Sequence, residues 1–393
     1  MKILLSDFRT VKNGEVINFN IGTAAHAPGT LAVLRKHLPE ARVAVWAEAP
    51  LSAPLAGLMA RHFPEVPVVS GHPDGPDAPE LARAVAEADL FLVSSGSTVA
   101  GPVRRNMDEF LRRTGKPAGA YAIGFHPDTL PWLDRMRFAW FRDPVSTAEA
   151  AARSRCPLQG WAPDAVFDFD CTDTAGAVRF MAENGLAPGA FICCIPGQRH
   201  TPRWEYFDVP FRPERAAENA RHEERDNAPL IPLIGEAVRR FGLKVLICAE
   251  QISELPLIRR LIFDRLPPNV RAACVPQEAW WPPDLALGVY RASRGVFGVE
   301  MHSQVMAVGN GVPGVVLRHP QFGSKCEMWK SIGLADWLLD ADSPDSISGA
   351  AAVLRDILTH PDRTAEKLRN ARRIIDRAAA EAVRRSFPVR SGS

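Results

Sequence analysis

The segment Glu300-Met301-His302-Ser303 directly follows the apolar run at residues 295–299 and opens a helical stretch that closes at Gly309-Asn310-Gly311. A histidine past the end of a strand, at the start of a helix, points to the side of an α/β sheet where ligands collect. His302 is therefore the candidate general acid or base. Glu300, two residues earlier, shares that face of an extended backbone. A buried histidine satisfied by its neighbours is the competing reading. Arg199 and Arg203 follow another strand end, Ile195-Pro196-Gly197, and a guanidinium suits bidentate capture of carboxylate or phosphate. Lys325, in Gly323-Ser324-Lys325, is a third cation after a strand, and for all three a solvated surface charge is the alternative.

Two further loops carry polar groups after apolar runs. Ser94, Ser95, Gly96 and Ser97 are small enough to bring a ligand against the backbone, and their hydroxyls can donate hydrogen bonds. No Gly-Lys-Ser or Gly-Lys-Thr follows, so this is not a P-loop, and a plain tight turn remains open. Arg142-Asp143 precedes Pro144-Val145-Ser146, where Ser146 reads as a helix N-cap, and the Arg–Asp pair suits a loop-to-loop tie.

The elements that must hold these loops are short runs of Val, Ile, Leu and Phe separated by amphipathic stretches, the pattern of a parallel sheet covered on both faces. In the first half strands are expected at residues 2–6, 42–46, 67–69, 90–94, 118–122 and 137–141, with helices at 26–38, 78–88, 103–114 and 147–154. Both periodicities break at 159–174, which reads as a linker. A second series of strands follows at 191–195, 244–249, 272–275, 295–299, 314–317 and 337–339. Residues 198–227, crowded with alternating charges, read as a long functional or mobile loop. The expected organisation is an α/β chain of two doubly wound, Rossmann-like domains, residues 1–174 and 175–360, with a charged helix at 361–386 packing back on them.

Composition removes several classes of function. With 47 Lys and Arg against 45 Asp and Glu in 393 residues, the net charge of +2 supplies no field for a polyanion, so nucleic acid is not an expected partner. Seven cysteines with no Cys-x-x-Cys spacing encode neither a zinc cage nor a disulfide framework, and no metal is expected. A reducing cytoplasm fits them best. No apolar run reaches the roughly 20 residues that span a bilayer. The 34 prolines, many at the ends of helices and strands, read as stiffened loops.

The order of these motifs resembles the polysaccharide pyruvyl transferase family over nearly the whole chain. The resemblance runs through Asn20-Ile21-Gly22-Thr23, the 88–96 strand and turn, Gly115-Lys116-Pro117, Phe141-Arg142-Asp143-Pro144-Val145-Ser146, Pro163-Asp164-Ala165-Val166-Phe167, and a closing block of residues 298–303, Gly311-Val312-Pro313, Lys325 and Ile332-Gly333-Leu334. It implies a GT-B-like pair of domains facing a cleft, and transfer of a pyruvyl group from phosphoenolpyruvate to a saccharide or glycan precursor as a ketal, without a further cofactor. It casts His302 as the proton donor; together with the residues above, the expected site has His302 and Glu300 as catalytic and Arg199, Arg203, Lys325 and Ser303 on the donor side. Asn20, Ser94, Ser95, Gly96, Ser97 and Arg142 fall on the acceptor side.

Two positions depart from the family pattern. Glu300 stands where the closing Arg-x-His places a cation, and Thr23 stands where Asp is usual. A carboxylate beside phosphoenolpyruvate is repulsive by a few kcal/mol at an effective dielectric of about 20. Two other functions are therefore weighed: a GT-B glycosyltransferase with a nucleotide-sugar donor, and a non-catalytic sugar-binding homologue. Oligomeric state is not encoded.

Overall fold

The computed structural model describes residues 1–8, 10–71, 79–96, 99, 101–343 and 345–388. They form two compact units: Met1–Phe19, Thr23–Cys171 and Arg373–Ser393 make the first, and Asn20–Gly22 with Thr172–Arg372 the second. No described helix is long and apolar enough to cross a membrane.

In the first unit the strands are β1 (Lys2–Ser6), a small hairpin β2 (Val11–Lys12) and β3 (Glu15–Val16), β4 (Arg42–Ala47), β5 (Val68–Ser70), β6 (Leu90–Val93), β7 (Ala118–Ile123), β8 (Phe138–Phe141) and β9 (Gln159–Trp161). Seven of them form one parallel sheet in the order β5-β4-β1-β6-β7-β8-β9. The chain leaves β1 toward β4 and β5, then returns to β6 on the other side of β1. That reversal is the topological switch point at which open α/β sheets bind ligands. Every residue of β6 and β7 is buried, as strands covered on both faces require. Trp46, Phe91 and Phe110 stack in one core, with centroids 6.2 and 5.5 Å apart.

The second unit repeats the plan. Its strands are β10 (Phe191–Ile195), β11 (Lys244–Ile247), β12 (Cys274–Pro276), β13 (Val296–Gly298), β14 (Gly314–Arg318) and β15 (Leu338–Asp340). They pair in parallel in the order β12-β11-β10-β13-β14-β15, so the switch point lies at the ends of β10 and β13. The seven cysteines are buried thiols, three of them, Cys193, Cys194 and Cys248, in or beside the central strands.

Three local expectations are corrected. The supposed linker begins with β9, a three-residue edge strand on β8 that has no apolar run to announce it. Half of the supposed loop 198–227 is the helix Pro213–Asn227, which starts on Pro213. Its charges are tied to neighbours, Glu223 to Arg260 and Glu224 to Arg265, so no continuous apolar stripe was needed to hold it. The helix Pro144–Arg153 is capped by Asp143, not Ser146. Asp143 Oδ1 accepts from the Ser146 N–H at 2.8 Å and Oδ2 from its hydroxyl at 2.7 Å.

The helix Pro361–Ser386 contributes its residues from Arg373 onward to the first unit. There the Trp140 Nε1–H donates to Ser386 Oγ at 2.7 Å and Arg137 donates to the Ser386 carbonyl at 2.8 Å.

Candidate functional site

Four loops of the second unit, those after β10, β11, β13 and β14, bring their polar residues together. The loop after β11 supplies Glu250, Gln251 and Glu254, which are buried. The Glu250 carboxylate meets His302 Nδ1 at 3.2 Å through Oε1. Through Oε2 it accepts from the Ser303 N–H at 2.7 Å and from the Ser303 hydroxyl at 3.1 Å. The helix His302–Gly309 thus begins on a carboxylate supplied by another loop, which suits its positive N-terminal end. Tyr290 Oη extends the chain to Ser303 Oγ at 3.3 Å.

Burial works against ionisation of Glu250, but His302 and the Ser303 N–H outweigh it, and its pKa falls below the ordinary value. Glu254 is the opposite case. Burial first, then the charges of Glu300 and Glu250, push it well above the ordinary range. Glu254 also caps its own turn, accepting from the Glu250 and Gln251 backbone N–H groups at 2.8 and 3.0 Å.

Glu300 is 3% exposed. Its Oε1 accepts from Gln251 Nε2 at 2.9 Å, and the same amide reaches Glu254 Oε1 at 3.1 Å. Burial and the Glu250 charge raise its pKa to about 7, while Lys325 pulls the other way. Between the ordinary 4.5 and about 7, the native state holds a proton that the unfolded chain has released, so this group makes stability fall as pH rises across that window. Glu300→Gln removes the term. Its stability relative to the parent, measured by urea unfolding at pH 5 and pH 8, is expected to rise by roughly 1–3 kcal/mol with pH, and a pH-independent difference contradicts the assignment.

The other donor-side residues have different surroundings. Arg199 is buried and bidentate to Asp226, at 2.6 and 3.0 Å, with a third contact to Asp342 at 2.9 Å. Its charge is spent inside the protein, holding the loop after β10. Asn227 fixes the same loop by exchanging two hydrogen bonds with the Gly197 backbone, at 3.0 and 2.9 Å. Arg203 is exposed, with its guanidinium 5.2 Å from the Phe207 ring centroid. Lys325 Nζ sits 4.2 Å from the Phe322 ring centroid and has no carboxylate within ion-pair distance among the described residues. It nonetheless lowers both Glu250 and Glu300 electrostatically. Phe322 stacks in turn on His319, which burial depresses to about 4, so that imidazole is neutral at physiological pH.

Asn20, expected beside the acceptor loops of the first half, belongs to the second unit, where its backbone bridges to Gln251. Gly22 lies against the catalytic candidate: a Cβ there would stand 2.3 Å from both Cβ and Cγ of His302.

In the first unit the loops after β1, β6, β8 and β9 gather a second buried polar group. Ser94 Oγ donates to Asp7. Ser95 Oγ donates to Asp164 Oδ1 at 2.9 Å and accepts from the Ala165 N–H at 3.2 Å. Arg142 Nη1 donates to Asp164 Oδ2 at 2.9 Å, and His26 Nε2 lies 3.9 Å from Asp164 Oδ1. The partner of Arg142 is therefore Asp164, not its neighbour Asp143. Gly96 pairs with Ile123 at the end of the sheet, and Ser97 lies outside the described residues. Phe8 and Ala122, with φ of 55° and 53°, hold left-handed backbone on either side of the Ser94–Ser95 turn, a strain that the surrounding packing must sustain.

The residues that sequence reasoning missed are Asp7, His26, Asp164, Glu250, Gln251 and Glu254 as site members. Glu250 had a usable signal, an acid directly after the apolar run at 244–249. Asp164 stood in the Pro163-Asp164-Ala165-Val166-Phe167 segment of the resemblance without a role assigned to it, and His26 had no signal, because their meeting depends on tertiary structure.

No protein-family model matches the sequence, and no curated protein matches it. Solved structures do. Anabaena Alr3699/HepE, crystallised with UDP and glucose, is 13% identical with a TM-score of 0.55, covering 98% of this chain and 99% of its own. UDP-GlcNAc 2-epimerase from Neisseria meningitidis, bound to UDP-GlcNAc, is 10% identical with a TM-score of 0.55 over 98% and 99%. The E. coli ADP-heptose LPS heptosyltransferase II is 12% identical with a TM-score of 0.54 over 92% and 100%. At such identities the likeness is one of fold, and the fold is that of the GT-B proteins, with two parallel-sheet α/β domains.

Proposed function

We propose that this protein transfers a sugar from a nucleotide-sugar donor to a saccharide or glycan-precursor acceptor. The observation that carries the reading is the Glu250–His302–Ser303 assembly at the carboxyl ends of β10, β11 and β13, with the unpaired cation Lys325 beside it. The solved structures of like fold described above have UDP or a UDP-sugar bound or are named for ADP-heptose, which supports the donor class. Pyruvyl transfer, the reading from motif order, fits less well. The ionised Glu250 against His302, with Glu300 nearby at a pKa of about 7, disfavours the compact charge of phosphoenolpyruvate more than that of a diphosphate whose charge is spread over a longer group.

In this reaction the bond from the sugar C1 to the diphosphate oxygen breaks, and its electron pair leaves with the nucleotide. A bond forms from C1 to the acceptor oxygen, whose proton must be removed. Ionised Glu250 accepts from His302 Nδ1–H, which fixes the tautomer and makes Nε2 the proton acceptor. Lys325 holds the diphosphate. Arg199, Gln251 and Ser303 position the loops that carry these groups.

The test is incubation with UDP-, ADP- and GDP-sugars, and separately with phosphoenolpyruvate, against a panel of glycans, followed by product mass and release of nucleotide or phosphate. Transfer with nucleotide release is expected. A ketal formed from phosphoenolpyruvate overturns the reading. Lys325→Ala is expected to weaken UDP or ADP binding about tenfold by titration calorimetry, the scale of one charge-assisted hydrogen bond. An unchanged Kd removes Lys325 from the donor site.

A further inference from the structure

A second groove lies in the first unit, along the edge of its sheet. It has a volume of about 350 Å³ and is lined by Trp140, Gly160 and Trp161 from β8 and β9, and by Ile374, Arg377 and Ala378 from the helix Pro361–Ser386. Its floor is open because position 160 has no side chain: a Cβ would stand 2.7 Å from Trp140 Cζ3. Both indoles spend their only polar hydrogen inside the protein, Trp140 on Ser386 Oγ and Trp161 on the Arg142 carbonyl at 3.2 Å. Trp140 is 2% exposed, so the carbon surface offered to a ligand is that of the half-buried Trp161.

The rim is charged unequally. Arg385 lies 5.2 Å from the Trp140 ring centroid and pairs with Glu381 at 3.7 Å. Arg377 is exposed and has no ion-pair partner among the described residues. Indole and small-residue surface suits the apolar face of a pyranose ring, and the unpaired guanidinium suits a carboxylate or phosphate on that ring. The groove also adjoins the candidate acceptor loops, since Trp161 bonds to Arg142, which in turn pairs with Asp164.

We propose that this groove binds an anionic sugar unit, carried by the acceptor glycan beyond the unit that receives the transferred sugar, with the ring against Trp161 and its acidic group on Arg377. This rests on the reading of a saccharide acceptor, and it names the chemistry of that acceptor.

Binding is measured without turnover. Glucuronic acid, glucose 6-phosphate and glucose are titrated onto the full chain and followed by saturation-transfer NMR. At least one of the two anionic sugars is expected to bind five- to tenfold tighter than glucose, and the stronger of the two tells carboxylate from phosphate. Arg377→Ala, an exposed change, and Ala378→Leu, which fills the groove, are each expected to weaken that binding about tenfold with the thermal midpoint unchanged. Equal affinity for the three sugars, no binding, or binding undiminished in both variants overturns the proposal. Failure of nucleotide-sugar transfer with this binding intact overturns the functional reading instead.

Discussion

His302→Ala is expected to lower kcat for sugar transfer by about 10²–10⁴-fold, the usual worth of a positioned general base, while the Kd for UDP or ADP changes less than about threefold. The expectation follows from the placement of the imidazole. It starts a helix, is 8% exposed, and has its Nδ1 against a carboxylate that burial alone would have neutralised. Glu250→Gln separates orientation from charge, since the amide keeps an oxygen for Nδ1–H but loses the negative charge that stabilises the imidazolium formed during proton transfer. Glu250→Gln is expected to lower kcat less than His302→Ala does, with the Kd for UDP or ADP again nearly unchanged. An enzyme that transfers sugar at the parental rate without His302 contradicts the assignment.

Asp164→Ala is expected to cost about 3–5 kcal/mol, the penalty for leaving one partner of a buried ion pair alone. Asp164 is fully buried and serves Arg142, Ser95 and the Val166 N–H at once, with His26 alongside. Removing it frees the turn at Ser95 and strands the Arg142 guanidinium. Measured by denaturant unfolding, such a loss is a large part of a typical domain's 5–15 kcal/mol. The double change Asp164→Leu with Arg142→Met, which buries no lone charge, is expected to recover most of it. A single variant within about 1 kcal/mol of the parent shows that the network is not what holds these loops.

How much of this was legible in the sequence depended on how far apart the interacting residues lie. β1 and β10 were read to the residue, because a central parallel strand is a continuous apolar run, here closed off by Asp7 after β1 and by Pro196-Gly197 after β10. β9 was missed because an edge strand needs few apolar residues, and Gln159-Gly160-Trp161 has no run at all. The helix Pro213–Asn227 was missed because its charges are held by partners such as Arg260 and Arg265, about 40 residues away in sequence, and not by a core-facing stripe. Arg199 reads as a ligand-binding cation until its two aspartates are seen, one of them 143 positions away. The motif at Glu300 and His302 was visible, but the glutamates that set its charge lie some 50 positions back, on another strand's loop.

The contact of Gly22 with His302 has a consequence for sequence variation. Any side chain at position 22 would occupy the space of the imidazole. In a saturation library selected for activity, position 22 should therefore be as intolerant as position 302, although a glycine brings no chemistry of its own. In descendants that have lost His302, the constraint on position 22 should relax first, so that a bulky residue there would mark a chain that has given up the reaction.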